Sequence, residues 1–303
     1  MQASILHVVM YALRSYVQAC SGRLLVPHSK KLSRKVDYRT TSTTSHGLES
    51  SEEEIERKFV VTEAILKAVL SKSHGQAPEL KLMTDIYFDD KSYNLTTRDM
   101  WLRKRNAVFE LKWPQQRENV ICDEEKDLQG IDFYMESTSW ITISEVLNNA
   151  SIWLQPPLPA DNSPNSVDLW LNGNQLYSFA NIKSVRQRYK FELPSGRNLS
   201  SENGSKLQSH LIHVDVDQVE YIMDDKDTAK VLDIYDLKYT IGEIELIRAA
   251  EGYTKSQAMT DIFTQLGIKT DPVRGKVLEY LSRFKPEHYK ALELSGLIGK
   301  KMQ

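Results

Sequence analysis

Charged and apolar residues alternate along much of this chain. EIERKFVV (54–61) puts Glu54, Glu56 and Lys58 on one parity and Ile55 and Phe59 on the other. In MWLRKR (100–105), Trp101, Arg103 and Arg105 share a face, and in AVFELKW (107–113) Glu110 and Lys112 stand opposite Phe109, Leu111 and Trp113. NIKSVRQRYKFEL (181–193) collects Arg186, Arg188, Lys190 and Glu192, and SHLIHVDVDQVEYI (209–222) sets Asp215 and Asp217 against Val214 and Val216. YTIGEIELI (239–247) sets Glu243 and Glu245 against Ile244 and Leu246. A period of two is that of a strand, whose successive side chains point to opposite faces. Further strands are expected at 84–90, 120–128 (VICDEEKDL) and 168–173 (DLWLNG). TEAILKAVLSKS (62–73) has an N-cap threonine and an apolar stripe through Ile65, Leu66, Val69 and Leu70, so it reads as a helix. Residues 133–154 are also expected to be mainly helical, and helices at 254–266, 274–284 and 286–295 close the chain. QPPLPADNSPNS (155–166) and GRNLSSENGSK (196–206) read as loops.

The expectation is an α+β fold of about eight strands, mostly sequential and antiparallel, closed into a barrel with flanking helices. The parity then decides which face is inside. For any single strand, a charged face is ordinarily a solvated face. Across the set, however, acids are mixed with Arg and Lys, while the opposite faces carry Phe, Trp, Ile and Leu that need a covering layer. The helices can supply that layer, which leaves the charges lining the barrel. A charged interior is tolerable only where charges are paired or ligated.

Composition changes the picture little. The 303 residues are 41% apolar and 26% charged, with net charge −2, so no basic field argues for nucleic acid. Two cysteines, Cys20 and Cys122, make no disulfide scaffold, and no apolar run is long enough to span a membrane. The charge is unevenly spread. Met1–Ser45 holds seven Lys or Arg against Asp37 alone, a surplus of +6 that leaves −8 for the rest. Residues 1–50 are therefore expected to be a basic leader to the folded domain at 51–303. With hydroxyl-rich TTSTTS and apolar ILHVVMYAL, the leader has the composition of a mitochondrial transit peptide. A cytoplasmic protein with a disordered leader is the other expectation.

The residues carry a resemblance. EIERKF, followed in order by YFDD, WLRKR, FELKWP and GEIEL, resembles the signature series of the triphosphate tunnel metalloenzymes, the CYTH superfamily. GKVLEYLSRFKPEHYKALE (275–293), with Trp101 before the Arg-x-Arg pair, is similar to the thiamine triphosphatases within it. The resemblance covers roughly 52–295 and implies the following roles. Glu54, Glu56, Asp215, Glu245 and Asp127 would ligate metal, with Asp217 and Glu125 as rivals to Asp215 and Asp127. Lys58, Arg103, Arg105, Lys112, Arg186 and Lys276 would grip phosphate oxygens. Glu243 would contact substrate or orient water, which makes Lys58 and Glu243 the catalytic candidates. Trp101 would stack on a cationic thiazolium. The implied cofactor is Mg²⁺, with Mn²⁺ as a substitute, and the implied partner is a small-molecule triphosphate bound by a monomer. The implied reaction is hydrolysis of thiamine triphosphate to thiamine diphosphate and phosphate. An inorganic or nucleoside triphosphatase and a non-catalytic polyphosphate-binding module are the competing readings.

Overall fold

The computed structural model describes residues 52–115, 131–150, 164–195, 209–223, 237–269, 271 and 273–298. Eight strands close into an antiparallel barrel: β1 (Glu52–Phe59), β2 (Glu79–Asp89), β3 (Trp101–Arg105), β4 (Val108–Pro114), β5 (Ile131–Ser137), β6 (Tyr177–Pro194), β7 (Ser209–Tyr221) and β8 (Lys238–Arg248). The order around the barrel is β1-β5-β4-β3-β2-β6-β7-β8. Two meanders, β2 to β5 and β6 to β8, are therefore joined by β2 against β6, and β1 closes the gap between β5 and β8.

Among the described residues six helices accompany the barrel: α1 (Glu63–Lys72), α2 (Trp140–Asn149), α3 (Pro164–Gly173), α4 (Lys255–Leu266), α5 (Lys276–Phe284) and α6 (Pro286–Leu294). α1 starts where Thr62 accepts a hydrogen bond from the Ile65 amide. α4 starts with a capping box between Thr254 and Gln257 and ends at Gly267, whose φ of 64° suits a residue without Cβ.

Burial follows parity. The outward residues Ile55, Phe59, Phe191, Val214, Val216 and Ile244 pack against Ile65 and Val69 of α1 and Met259, Ile262 and Phe263 of α4. Around β3 and β4, Leu102, Phe109 and Leu111 lie under Trp140, Ile143 and Leu147 of α2 and Trp170 of α3. The third core is different. Ile182, Val219, Tyr221 and Ile241 have inward parity, and Tyr280, Leu281, Phe284 and Leu292 of α5 and α6 pack with them. These two helices seal part of one barrel end and leave the rest of the interior to charge.

The expected closed barrel with a charged interior is what forms, with two corrections to its elements. Residues 133–137, expected in a helix, belong to strand β5, and the helix is confined to 140–149. Residues 168–173, expected as a strand, belong to α3: Val167, Trp170 and Leu171 are buried at helical spacing while Leu169 is exposed. The strand expected at 120–128, with Asp127 and Glu125, lies outside the described residues, as do Met1–Ser50. Among the described residues no helix is long and apolar enough to cross a membrane.

Candidate functional site

The barrel encloses a cavity of about 780 Å³. Ten sequence-derived candidates line it: Glu54, Glu56, Lys58, Trp101, Arg103, Arg105, Lys112, Arg186, Glu243 and Lys276. Strand pairing brings them together. Register sets Glu56 opposite Glu245 and Lys58 opposite Glu243 across β1 and β8, and Trp101 opposite Lys112 across β3 and β4. Lys276 comes from the first turn of α5. Gly275, just before it, lets Lys58 pass close: a Cβ there would meet Lys58 Cε at 3.0 Å.

Each of the charged candidates has a counter-charge. Lys112 Nζ lies 2.8 Å from Glu54 Oε2 and 3.0 Å from Glu56 Oε1. Lys58 donates to Glu56 at 2.5 Å and to Asp132 at 2.8 Å. Arg103 donates to Glu110 at 2.6 Å and also to Glu136. Arg105 grips Asp85 through two bonds of 2.7 and 2.9 Å. Arg186 reaches Asp217 through two bonds of 2.7 Å, Glu243 at 2.7 Å and Asp215 at 2.6 Å. Arg188 also holds Asp215, and Lys276 donates to Asp217 at 2.7 Å.

These pairs set the ionisation. Burial opposes charge on Lys58, but Asp132 and Glu56 hold its ammonium well above the ordinary lysine range. Burial likewise opposes charge on Glu56 and Asp217. Lys112 and Lys58 nonetheless hold Glu56 well below the usual carboxylate range, and Lys276 and Arg186 do the same for Asp217. Glu54 goes the other way. Burial and the adjacent Glu56 push it up to about 7. Lys112 meets Glu54 Oε2 as an ion pair but off the line of a good hydrogen bond, and that buried oxygen has no other donor.

The predicted metal ligands are not gathered at one point. Glu54 and Glu56 are on the cavity wall, whereas Asp215 and Glu245 are drawn aside by Arg188, and Glu245 also by His213 at 3.1 Å. Among the described residues no three His, Cys, Asp or Glu side chains converge as a metal site, because lysines and arginines stand between the carboxylates. The donors nevertheless suit a hard divalent cation, being carboxylate oxygens throughout. Charge points the same way. The paired acids facing the barrel interior are Glu54, Glu56, Asp85, Glu110, Asp132, Glu136, Asp215, Asp217, Glu243 and Glu245. Their cations are Lys58, Arg103, Arg105, Lys112, Arg186, Arg188 and Lys276. These pairs hold more acids than bases, so a divalent cation bound among them would favour the entry of a polyanion. The under-donated Glu54 is where such a cation gains most.

Sequence reading missed Asp85, Asp132 and Glu136, which pair with Arg105, Lys58 and Arg103. It also missed Asp99 and Tyr134 on the cavity wall. A signal for β5 was present: IDFYMES alternates, with Asp132, Tyr134 and Glu136 on one parity. Asp132 and Glu136 add two carboxylates from β5, paired with Lys58 and Arg103.

A closed barrel whose interior pairs rings of carboxylates with lysines and arginines is a polyanion tunnel. The CYTH domain model matches residues 52–271, most of the chain, and the chain belongs to the CYTH family. Tunnels of this class bind triphosphates, generally with divalent metal ions, and their members are triphosphatases or cyclases. The match ends before Lys276. No curated protein matches the chain. Similar solved structures include a candidate adenylate cyclase from Bacillus halodurans, 18% identical over 76% of this chain and 98% of that one, with a TM-score of 0.38. A Pyrococcus horikoshii protein is 16% identical over 76% and 98%, with a TM-score of 0.38. A Hippeastrum protein described as a candidate adenylyl cyclase with a dominant triphosphatase activity is 13% identical over 76% and 96%, with a TM-score of 0.39.

Proposed function

We propose that this chain is a metal-dependent triphosphatase whose substrate is thiamine triphosphate. One observation carries the choice of substrate: the cavity has two chemically distinct parts. Lys58, Arg103, Arg105, Lys112 and Arg186 surround a charged interior, while Trp101, Tyr239, Tyr289, Leu297 and Ile298 form an aromatic and apolar wall at the end bordered by α5 and α6. A bare tripolyphosphate has no use for that wall, whereas a triphosphate ester carrying a flat organic cation matches both parts.

In this reading the Lys and Arg side chains leave their carboxylate partners for phosphate oxygens, to which guanidinium groups bind in bidentate fashion. Glu54 and Glu56, released from Lys112, would hold Mg²⁺ with Glu245 and Asp215 from the adjoining strands β8 and β7. The bound ion would neutralise the β and γ oxygens. A water oxygen then bonds to the γ phosphorus as the bond to the β-phosphate oxygen breaks. Thiamine diphosphate leaves as the anion, and the water, oriented by Glu243, gives its proton to an oxygen of the released phosphate. Lys58 and Arg186 stabilise charge on the transferred phosphoryl, and no covalent intermediate is required.

The test is phosphate release by purified protein from thiamine triphosphate, ATP and tripolyphosphate, with Mg²⁺ and with excess chelator. The expected result is the highest kcat/KM for thiamine triphosphate and loss of turnover on chelation. Equal or better turnover of tripolyphosphate replaces the thiamine reading with that of an inorganic triphosphatase. Tight binding without phosphate release replaces it with that of a polyphosphate-binding module.

A further inference from the structure

The aromatic wall is not neutral. Asp99 lies on the cavity lining beside Trp101 and Tyr134. Its Oδ1 accepts from Trp101 Nε1–H at 2.9 Å, and its two oxygens accept from the Tyr134 hydroxyl at 2.9 and 3.1 Å. On the other side of this group, the ring of Tyr134 lies under Lys112 Nζ, 4.6 Å from the ring centroid. One carboxylate thus ties the tryptophan of the organic end to the tyrosine that underlies a phosphate-gripping lysine. Burial and the negative charge of Asp99 hold the Tyr134 hydroxyl in its protonated, donating form.

The backbone marks the position too. Asp99 caps the single 3₁₀ turn at Thr96–Arg98 in the left-handed conformation, φ 61° and ψ 29°. Glycine or asparagine fits that conformation at least as well, so the turn alone does not call for a carboxylate. Two consequences of the carboxylate are specific. It fixes the rotation of the indole by its N–H, and it puts negative charge at the edge of an indole face.

We propose that Asp99 is a positioning residue for substrate selection, favouring triphosphates whose organic group is a fixed cation over neutral or headless ones. This rests on the thiamine triphosphate reading above. A cation stacked on Trp101 would feel both the π face and the nearby carboxylate. Tripolyphosphate would meet only the repulsion, and a neutral nucleoside would gain nothing from it.

Two substitutions separate charge from structure. Asp99→Asn keeps an acceptor for the indole and the phenol and keeps the left-handed turn, while removing the charge. Asp99→Gly keeps the turn and removes both. For Asp99→Asn we expect the kcat/KM ratio of thiamine triphosphate to tripolyphosphate to fall about fivefold, the upper end for a partly screened charge pair. The change should fall on KM, which rises for thiamine triphosphate and falls for tripolyphosphate as the repulsion is removed, with kcat held for both. Asp99→Gly should lower the ratio further, because the indole loses its tether. An unchanged ratio in Asp99→Asn overturns the proposal, and so does an equal loss on both substrates, which would make Asp99 purely structural. Failure of the thiamine reading is distinguishable, because there the wild-type protein itself shows no preference for thiamine triphosphate.

Discussion

Glu54 and Glu56 share Lys112, and only Glu56 also receives a hydrogen bond from Lys58. If the pair holds the metal, Glu54→Gln and Glu56→Gln should each lower kcat about a hundredfold or more, the scale for losing one electrostatic element of a transition state. Both variants should keep their circular dichroism and melting profile. Wild-type turnover at saturating Mg²⁺ in a folded double variant would remove both glutamates from the metal site. Trp101 should behave oppositely. A cation–π contact at a partly buried face supports an expected loss of about three- to thirtyfold in kcat/KM for thiamine triphosphate in Trp101→Ala, with tripolyphosphate hydrolysis nearly unchanged. Arg103→Ala, by contrast, should damage both substrates alike. These candidates were legible because a strand repeats every two residues, so a charged face shows as same-parity acids and bases without any knowledge of pairing. The partners were less legible. Asp85 reaches Arg105 only because β2 lies beside β3, and Asp99 approaches the site from a turn, where no period announces it.

At the scale of elements, strand identity was readable where alternation ran long and was lost where it was short. Trp140, Ile143 and Leu147 form a helical stripe, and that period was carried upstream to residue 133, into a strand where the alternation of only seven residues is the true signal. DLWLNG was read as a strand from its apolar run, but its burial has helical spacing. Contacts between elements carry two further expectations. Gly242 on β8 lies under Phe59 of β1, where an added Cβ would stand 2.2 Å from the ring. Gly242→Ala should therefore cost about 2 kcal/mol or more through overpacking at the closing seam, measurable by chemical denaturation.

α6 is fastened by His288. Its Nε2 lies 2.7 Å from Thr96 Oγ1, whose own proton goes to Asp89 at 2.6 Å, so the imidazole carries its proton on Nε2. Burial, with Lys285 nearby, lowers His288 to about 4. A folded-state value below the ordinary 6.5 means that the unfolded chain binds the proton more readily between these limits. Stability is then full above about pH 6.5 and declines as pH falls towards 4, by about 2–3 kcal/mol from this group. Asp89, raised by burial, offsets part of that decline. Melting temperature against pH should flatten in His288→Gln, and an unchanged slope would show that other groups govern acid stability.

For the molecule as a whole, the family match, the cavity and every described site residue fall after Ser51. Removing residues 1–48 should leave kcat/KM unchanged for all three triphosphates, which phosphate release on the shortened protein would check. A loss of activity would give these residues a part in substrate capture.

The barrel closes through β1, whose neighbours are β5 on one side and β8 on the other. The seam between β1 and β8 is also where Glu56 meets Glu245 and Lys58 meets Glu243. During synthesis, one edge of β1 must wait until nearly the whole domain has been made. Contacts this distant in sequence form slowly, and an unpaired strand edge in the meantime invites association with other chains. The charges along β1 guard that edge, because a row of glutamate and lysine disfavours pairing with a stray strand. The side chains placed here in metal and phosphate binding thus serve the newborn chain first, as protection against aggregation, before there is any tunnel for a substrate to enter.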